Sequence, residues 1–155
     1  MQRLRDSSEL KEAAGLLDDM LRQHLAYQTS ATARRGERLA ASLRLMCERA
    51  GFRGAMVLDA DGLPLAVHEP AFAPESVAAL SVVLGGALQR AAQMLGTGGL
   101  SHMSIDINYE DKLVFRRFEA GGGDYHLVAV TPQESDERAE VELSIDQLSH
   151  IIAAV

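Results

Sequence analysis

The reading of this chain turns on Pro74-Glu75-Ser76-Val77-Ala78-Ala79-Leu80-Ser81-Val82-Val83-Leu84-Gly85-Gly86-Ala87-Leu88-Gln89-Arg90-Ala91-Ala92-Gln93-Met94-Leu95. Proline and glutamate at its start and Gly96-Thr97-Gly98-Gly99 at its end are helix start and stop signals. Charge is confined to Glu75 and Arg90. Val77, Leu80, Leu84, Ala87, Leu88, Ala91 and Leu95 form one apolar stripe, expected to face a core. Ala79, Val82, Val83 and Gly86 carry apolar character around the other side, although a helix that merely covers a sheet needs only one such face. Small residues there let a second backbone approach. The expected occupant is the same helix of a second copy across a two-fold axis.

The flanking segments read as short strands. Ala55-Met56-Val57-Leu58 is apolar on both faces, as a covered central strand must be, and Asp59-Ala60-Asp61-Gly62 is a turn. In the next strand Leu63, Leu65 and Val67 alternate with Pro64, Ala66 and His68. Pro64 cannot donate to a ladder, which predicts an edge. After the long helix, Met103, Ile105 and Ile107 alternate with Ser104, Asp106 and Asn108, predicting a half-buried strand over Met103 to Asn108. Lys112 to Phe118 is the next strand. Beyond Ala120-Gly121-Gly122-Gly123-Asp124 follows Tyr125 to Val130, expected to be central. Pro132 and Ser135-Asp136 introduce a last helix, with Val141, Ile145, Leu148, Ile152 and Val155 on one face.

Ahead of the strands, Leu10, Ala14, Leu17, Leu21 and His24 predict a helix from Ser8 to about Tyr27. Polar Gln28-Thr29-Ser30-Ala31-Thr32 is expected to bend, and a second helix from about Arg35 to Ala50 presents Leu39, Leu43, Met46 and Ala50. Tight hairpins require antiparallel neighbours, so the class is α+β with layered helices and not a doubly wound parallel sheet.

In Gly54 to Ala66, in Ala78-Ala79-Leu80 and Leu84-Gly85-Gly86-Ala87-Leu88, and in Leu127-Val128-Ala129-Val130 after its glycine-rich turn, the chain resembles the roadblock (dynein light chain) family. The resemblance implies a five-stranded antiparallel sheet sandwiched by helices, an architecture shared with profilin- and longin-like domains. It divides the chain into an N-terminal helical extension, 1–33, and a roadblock domain, 34–155. It further implies homo- or heterodimers that commonly use the third strand and the long helix, here Met103, Ile105 and Ile107 with Ala79, Val82, Val83 and Gly86. Bacterial members often regulate or scaffold Ras-like small GTPases, some in cell polarity or motility.

Composition sets further expectations. A net charge of −7 argues against nucleic acid as a partner, and the Arg34-Arg35 and Arg116-Arg117 pairs read as solvated surface. The charged start, Met1 to Asp6, lacks the apolar run of a signal peptide. Val77 to Leu88 is too short to span a bilayer, so no membrane insertion is expected. A single cysteine, Cys47, forms no internal disulfide and suits the cytoplasm. The abundance of arginine over lysine, which stands only at Lys11 and Lys112, suggests a GC-rich bacterial gene.

Catalytic signatures are missing from the sequence. Gly96 to Gly99 ends a helix where a phosphate loop would begin one, and lacks the Lys-Ser/Thr that must follow. Asp59-Ala60-Asp61-Gly62 lacks the later ligands of a calcium loop. His24, His68, His102, His126 and His150 fall on separate elements and are expected at the surface or half-buried, and Cys47 reads as a packing residue. Asp106 and Asp111 sit where sheet surfaces and turns ordinarily place acidic residues. No enzyme activity, cofactor or metal is therefore expected. The leading expectation is a dimeric adaptor for a Ras-like GTPase, touched through Glu75, Ser81, Gln89, Arg90 and Gln93, with the GTPase on a separate chain. Arg90 as an arginine finger is the less expected role. A structural homodimer without a GTPase, and a small-ligand sensor of the PAS or GAF type, are the alternatives.

Overall fold

A computed structural model describes residues 2–154, and the side chains of residues 7–26 and 30–154. Its elements are α1 (Gln2–Ala50), β1 (Gly54–Asp59), β2 (Pro64–His68), α2 (Pro74–Leu95), β3 (His102–Asp106), β4 (Asp111–Ala120), β5 (Gly123–Pro132) and α3 (Glu137–Ala153). Two compact units result, Met1–Arg34 and Arg35–Val155.

The expected bend at Gln28 to Thr32 is replaced by continuous helix, so one 49-residue element stands where two were predicted. The segment holds neither proline nor glycine, and serine and threonine cost a helix only tenths of a kcal/mol each. Ser30 also accepts a hydrogen bond from Arg34 one turn on, at 3.3 Å.

The second unit is built on a five-stranded antiparallel sheet in the order β2-β1-β5-β4-β3. Pro64 lies on an edge strand, where its missing N–H interrupts no ladder. β1 and β5 are central, β1 almost wholly buried and β5 buried from His126 to Thr131, because helices cover both faces. Alternation sorts the side chains. Val57, Val114, Phe118, Leu127 and Ala129 pack with Leu39, Leu43 and Met46 of α1 and Val141, Leu148 and Ile152 of α3. Met56, Leu58, Leu113, Phe115 and Val128 meet Val77, Leu84 and Leu88 of α2 on the opposite face. Each such leucine or phenylalanine taken from water contributes roughly 1.5–3 kcal/mol before chain entropy is subtracted. On α3, Ile145 is only half-buried and Ser144 takes an inner position, while Val155 lies outside the described residues.

Cys47 is buried in the first of these layers. Burial, and then the nearby Glu69 and Glu48 carboxylates, push its thiol up to about 11, so it carries no thiolate near neutral pH. Asp59 Oδ1 accepts the amides of Asp61 and Leu63, both at 2.9 Å, which gives that carboxylate the ordinary work of a turn.

Candidate interaction face

α2 begins with Pro74 in its first turn and ends at Gly96, whose φ of 66° is left-handed. The Gly96 and Thr97 amides donate to the carbonyls of Gln93 and Ala92. Its inner face is Val77, Ser81, Leu84 and Leu88. This corrects the predicted stripe: Leu80 and Leu95 are exposed, and Ser81, expected at the partner surface, is 1% exposed beneath the helix. Ser81 Oγ donates to the Ala78 carbonyl at 2.8 Å, so a serine is accepted inside without an orphaned hydroxyl.

Gly85 lets α2 approach the sheet above His126. A Cβ there would stand 3.1 Å from His126 Cε1. His126 is therefore neither superficial nor half-buried; it is 4% exposed and tilted against Phe115, with ring centroids 4.8 Å apart. Burial first, then Arg117, holds its pKa below the ordinary histidine value.

The outer face follows at steps of three and four: Ala79, Val82, Val83, Gly86, Arg90 and Gln93. Val82 is 46% exposed and Val83 61%. Glu75 stands at the N-terminal end and Gln89, Arg90 and Gln93 at the other, all exposed or half-buried. The apolar and polar candidates, Ser81 apart, thus share one face, greasy in the middle and polar at the ends.

β3 flanks this face. It pairs with β4 alone, and its other edge has no strand partner among the described residues. The strand ends at Asp106, two residues short of the predicted end. Ile107 and Asn108 instead turn the chain, their amides donating to the Asp111 carbonyl at 3.0 and 3.2 Å. Gln133 Nε2 holds that turn through Asp106 Oδ1 and the Asn108 and Asp111 carbonyls, and Tyr109 projects fully into solvent. Met103 leans into the α2 layer, whereas Ile105 and Ile107 are open. Together with Phe72, Leu80 and Leu113 they line a groove of about 310 Å³ between α2 and β3. Sequence reasoning missed Phe72, which lies in a loop without periodicity; its only signal is an aromatic residue among Pro70, Ala71, Ala73 and Pro74.

Behind β3 lies a charged cluster. Lys112 Nζ stands 2.8 Å from Glu137 Oε2 at the start of α3, both side chains mostly buried. Burial works to raise the Glu137 pKa, but the Lys112 hydrogen bond and charge outweigh it and hold the carboxyl below its ordinary value. His102, 3.8 Å from the same carboxylate, has its pKa lowered by burial and then by Arg138 and Arg116. It is neutral near pH 7, and the contact is no ion pair there.

Val77 to Leu88 is only part of α2, and the whole helix, Pro74–Leu95, is long and apolar enough to cross a bilayer by length and composition alone. What opposes insertion is packing: Val77, Ser81, Leu84 and Leu88 already rest on the sheet.

Sheet order, helix placement and this face define a roadblock-type domain. Residues 25–114 match the Roadblock/LC7 domain family model, and the chain belongs to that family. Among solved structures it is similar to Myxococcus xanthus MglB, with 16% identity, TM-score 0.66, and coverage of 76% of this chain and 96% of that one. It is also similar to the gliding protein mglB of Thermus thermophilus, with 22% identity, TM-score 0.59 and coverage of 77% and 89%. A Roadblock/LC7 domain from Streptomyces avermitilis gives 18%, 0.55, and 74% and 94%. At these identities the likeness concerns the fold alone. No curated protein matches the sequence.

Proposed function

We propose that the protein is a dimeric, non-enzymatic adaptor or regulator that binds a Ras-like small GTPase. One observation carries the reading: Ala79, Val82, Val83 and Gly86 form an apolar outer face on a helix whose inner face is already buried, beside the free edge of β3. Water disfavours such a face, and a second copy covers both features at once by laying α2 against α2 and β3 against β3. Members of the family generally act as regulators or adaptors, and one solved relative is described as a gliding protein. The polar Glu75, Gln89, Arg90 and Gln93 then belong to the surface offered to the GTPase. Regulation follows from unequal affinity for its nucleotide states.

Two measurements test this. Sedimentation equilibrium should show self-association, and Val83→Glu should weaken it with the fold intact; an unchanged association constant rejects the α2 contact. Recovery of a small GTPase from the native host should differ between GDP and a GTP analogue. Recovery of other proteins alone, under both conditions, would replace the GTPase reading by a structural scaffold. If Arg90 acted as an arginine finger, Arg90→Ala would slow hydrolysis by the bound GTPase; a mid-helix arginine is expected to leave the rate unchanged.

A further inference from the structure

We infer that the N-terminal helix, residues 7–26, is an antiparallel coiled-coil contact for the same segment of a second copy. This goes beyond the GTPase reading and does not depend on it. Every side chain described in residues 7–26 is exposed, including Leu10, Leu17, Met20 and Leu21. Residues 7–26 extend a helix whose core residues begin at Leu39, and most helical stability comes from packing an apolar face. Leu10, Ala14, Leu17, Leu21 and His24 step by four, three, four and three, the seam of a two-stranded coil. Ala13 and Met20 widen that seam on one side, while Glu9, Glu12, Asp19 and Arg22 lie behind it. Acidic residues outnumber Lys11 and Arg22 here, which disfavours an anionic lipid surface as the occupant.

The pattern also selects a direction. Run antiparallel, Leu10 meets the partner subunit's Leu21, and Ala14 meets the partner subunit's Leu17. The same register puts Ala13 beside the partner subunit's Met20, and Lys11 beside the partner subunit's Asp18. Each small residue faces a large one, and the flanking charges are opposite. Run parallel, alanine would face alanine in the Ala14 layer and leave a hole between leucine layers. Asp18 already lies 3.1 Å from Arg22 within its own helix, on the side of the seam.

The test uses the full chain, in the wild type and in a Val83→Glu background, so that the result does not depend on the α2 face. Lys11→Glu and Asp18→Lys should each weaken the N-terminal association by about three- to tenfold, and the double swap should restore it. Lys11 and Asp18 are two turns apart in one helix and do not touch, so rescue reports a contact between chains. Leu17→Glu should abolish the association, with helix content checked by circular dichroism. Mixed Ala13→Cys and Met20→Cys proteins should form a disulfide between unlike chains. In the Val83→Glu background, an unchanged mass for Leu17→Glu, absence of rescue, or a fall in Tm at constant mass (the segment being covered by its own chain) would each overturn the inference. So would a disulfide between two Ala14→Cys chains, the mark of parallel pairing.

Discussion

A methyl group placed on Gly54 would overlap the backbone carbonyl oxygen of Glu69, where the end of β2 lies beside the start of β1. Both atoms belong to backbone, so neither can rotate away. We expect Gly54→Ala to destabilise the fold by about 1–3 kcal/mol, read from urea denaturation, and a neutral result would mean that the strand ends separate easily. His126 and His102 act differently. Their folded pKa values lie below the ordinary histidine value, so the unfolded chain binds protons that the folded chain refuses. Their contribution is intact above about pH 6.5 and is lost as the pH falls below it. Tm should therefore drop between about pH 7.5 and 5.5, and His126→Gln should flatten part of that slope. An equal slope in the variant would show that His126 does not drive it.

At the scale of the element, α2 separates two kinds of position that read alike in the sequence. Ser81→Glu would force a charge into the space above the sheet and should prevent folding. Val83→Glu, two residues on, should leave the circular dichroism spectrum intact and change only association. If both variants behaved alike, the inner and outer assignments would be wrong. α3 supplies another case. Its first turn carries Glu137, held by Lys112 with both side chains mostly buried. Lys112→Ala strands that carboxylate and should cost about 3 kcal/mol by chemical denaturation. The carboxyl pKa is depressed in the folded state, so the ion pair stabilises above the unfolded value near 4.5 and fails as the pH falls through the folded one. The penalty of Lys112→Ala should accordingly shrink as the pH falls below about 4.5.

For the whole molecule, the division at Arg34 and Arg35 predicts that the second unit unfolds as its own cooperative block. Its two hydrophobic layers draw every residue from beyond that division. Removing residues 1–34 should leave the main thermal transition within a few degrees of the full chain, followed by calorimetry. A large fall would mean that the first unit supports the core.

Much of this fold is legible in the residues alone. Double-sided apolar runs mark β1 and β5 as central, because only a strand covered on both faces can be apolar throughout. Pro64 marks an edge because it has no hydrogen to donate, and the proline and glycine flanking α2 mark its ends. These are local consequences of backbone chemistry, and a sequence carries them directly. Other features are decided only by packing. Nothing in the composition of Ser81 or Leu80 says which one lies under the helix; the rotation of α2 on the sheet does. His126 is buried because Gly85, forty-one residues away, opens space above it. Continuous helix wins over a bend at Gln28 to Thr32 because nothing in those residues forbids it. The candidate face is readable as excess apolar surface on α2, but its groove needs Phe72 and Ile105 brought together from distant loop and strand. Periodicity reports which side chains share one element's face, whereas contact between elements depends on distances that no single stretch of chain contains.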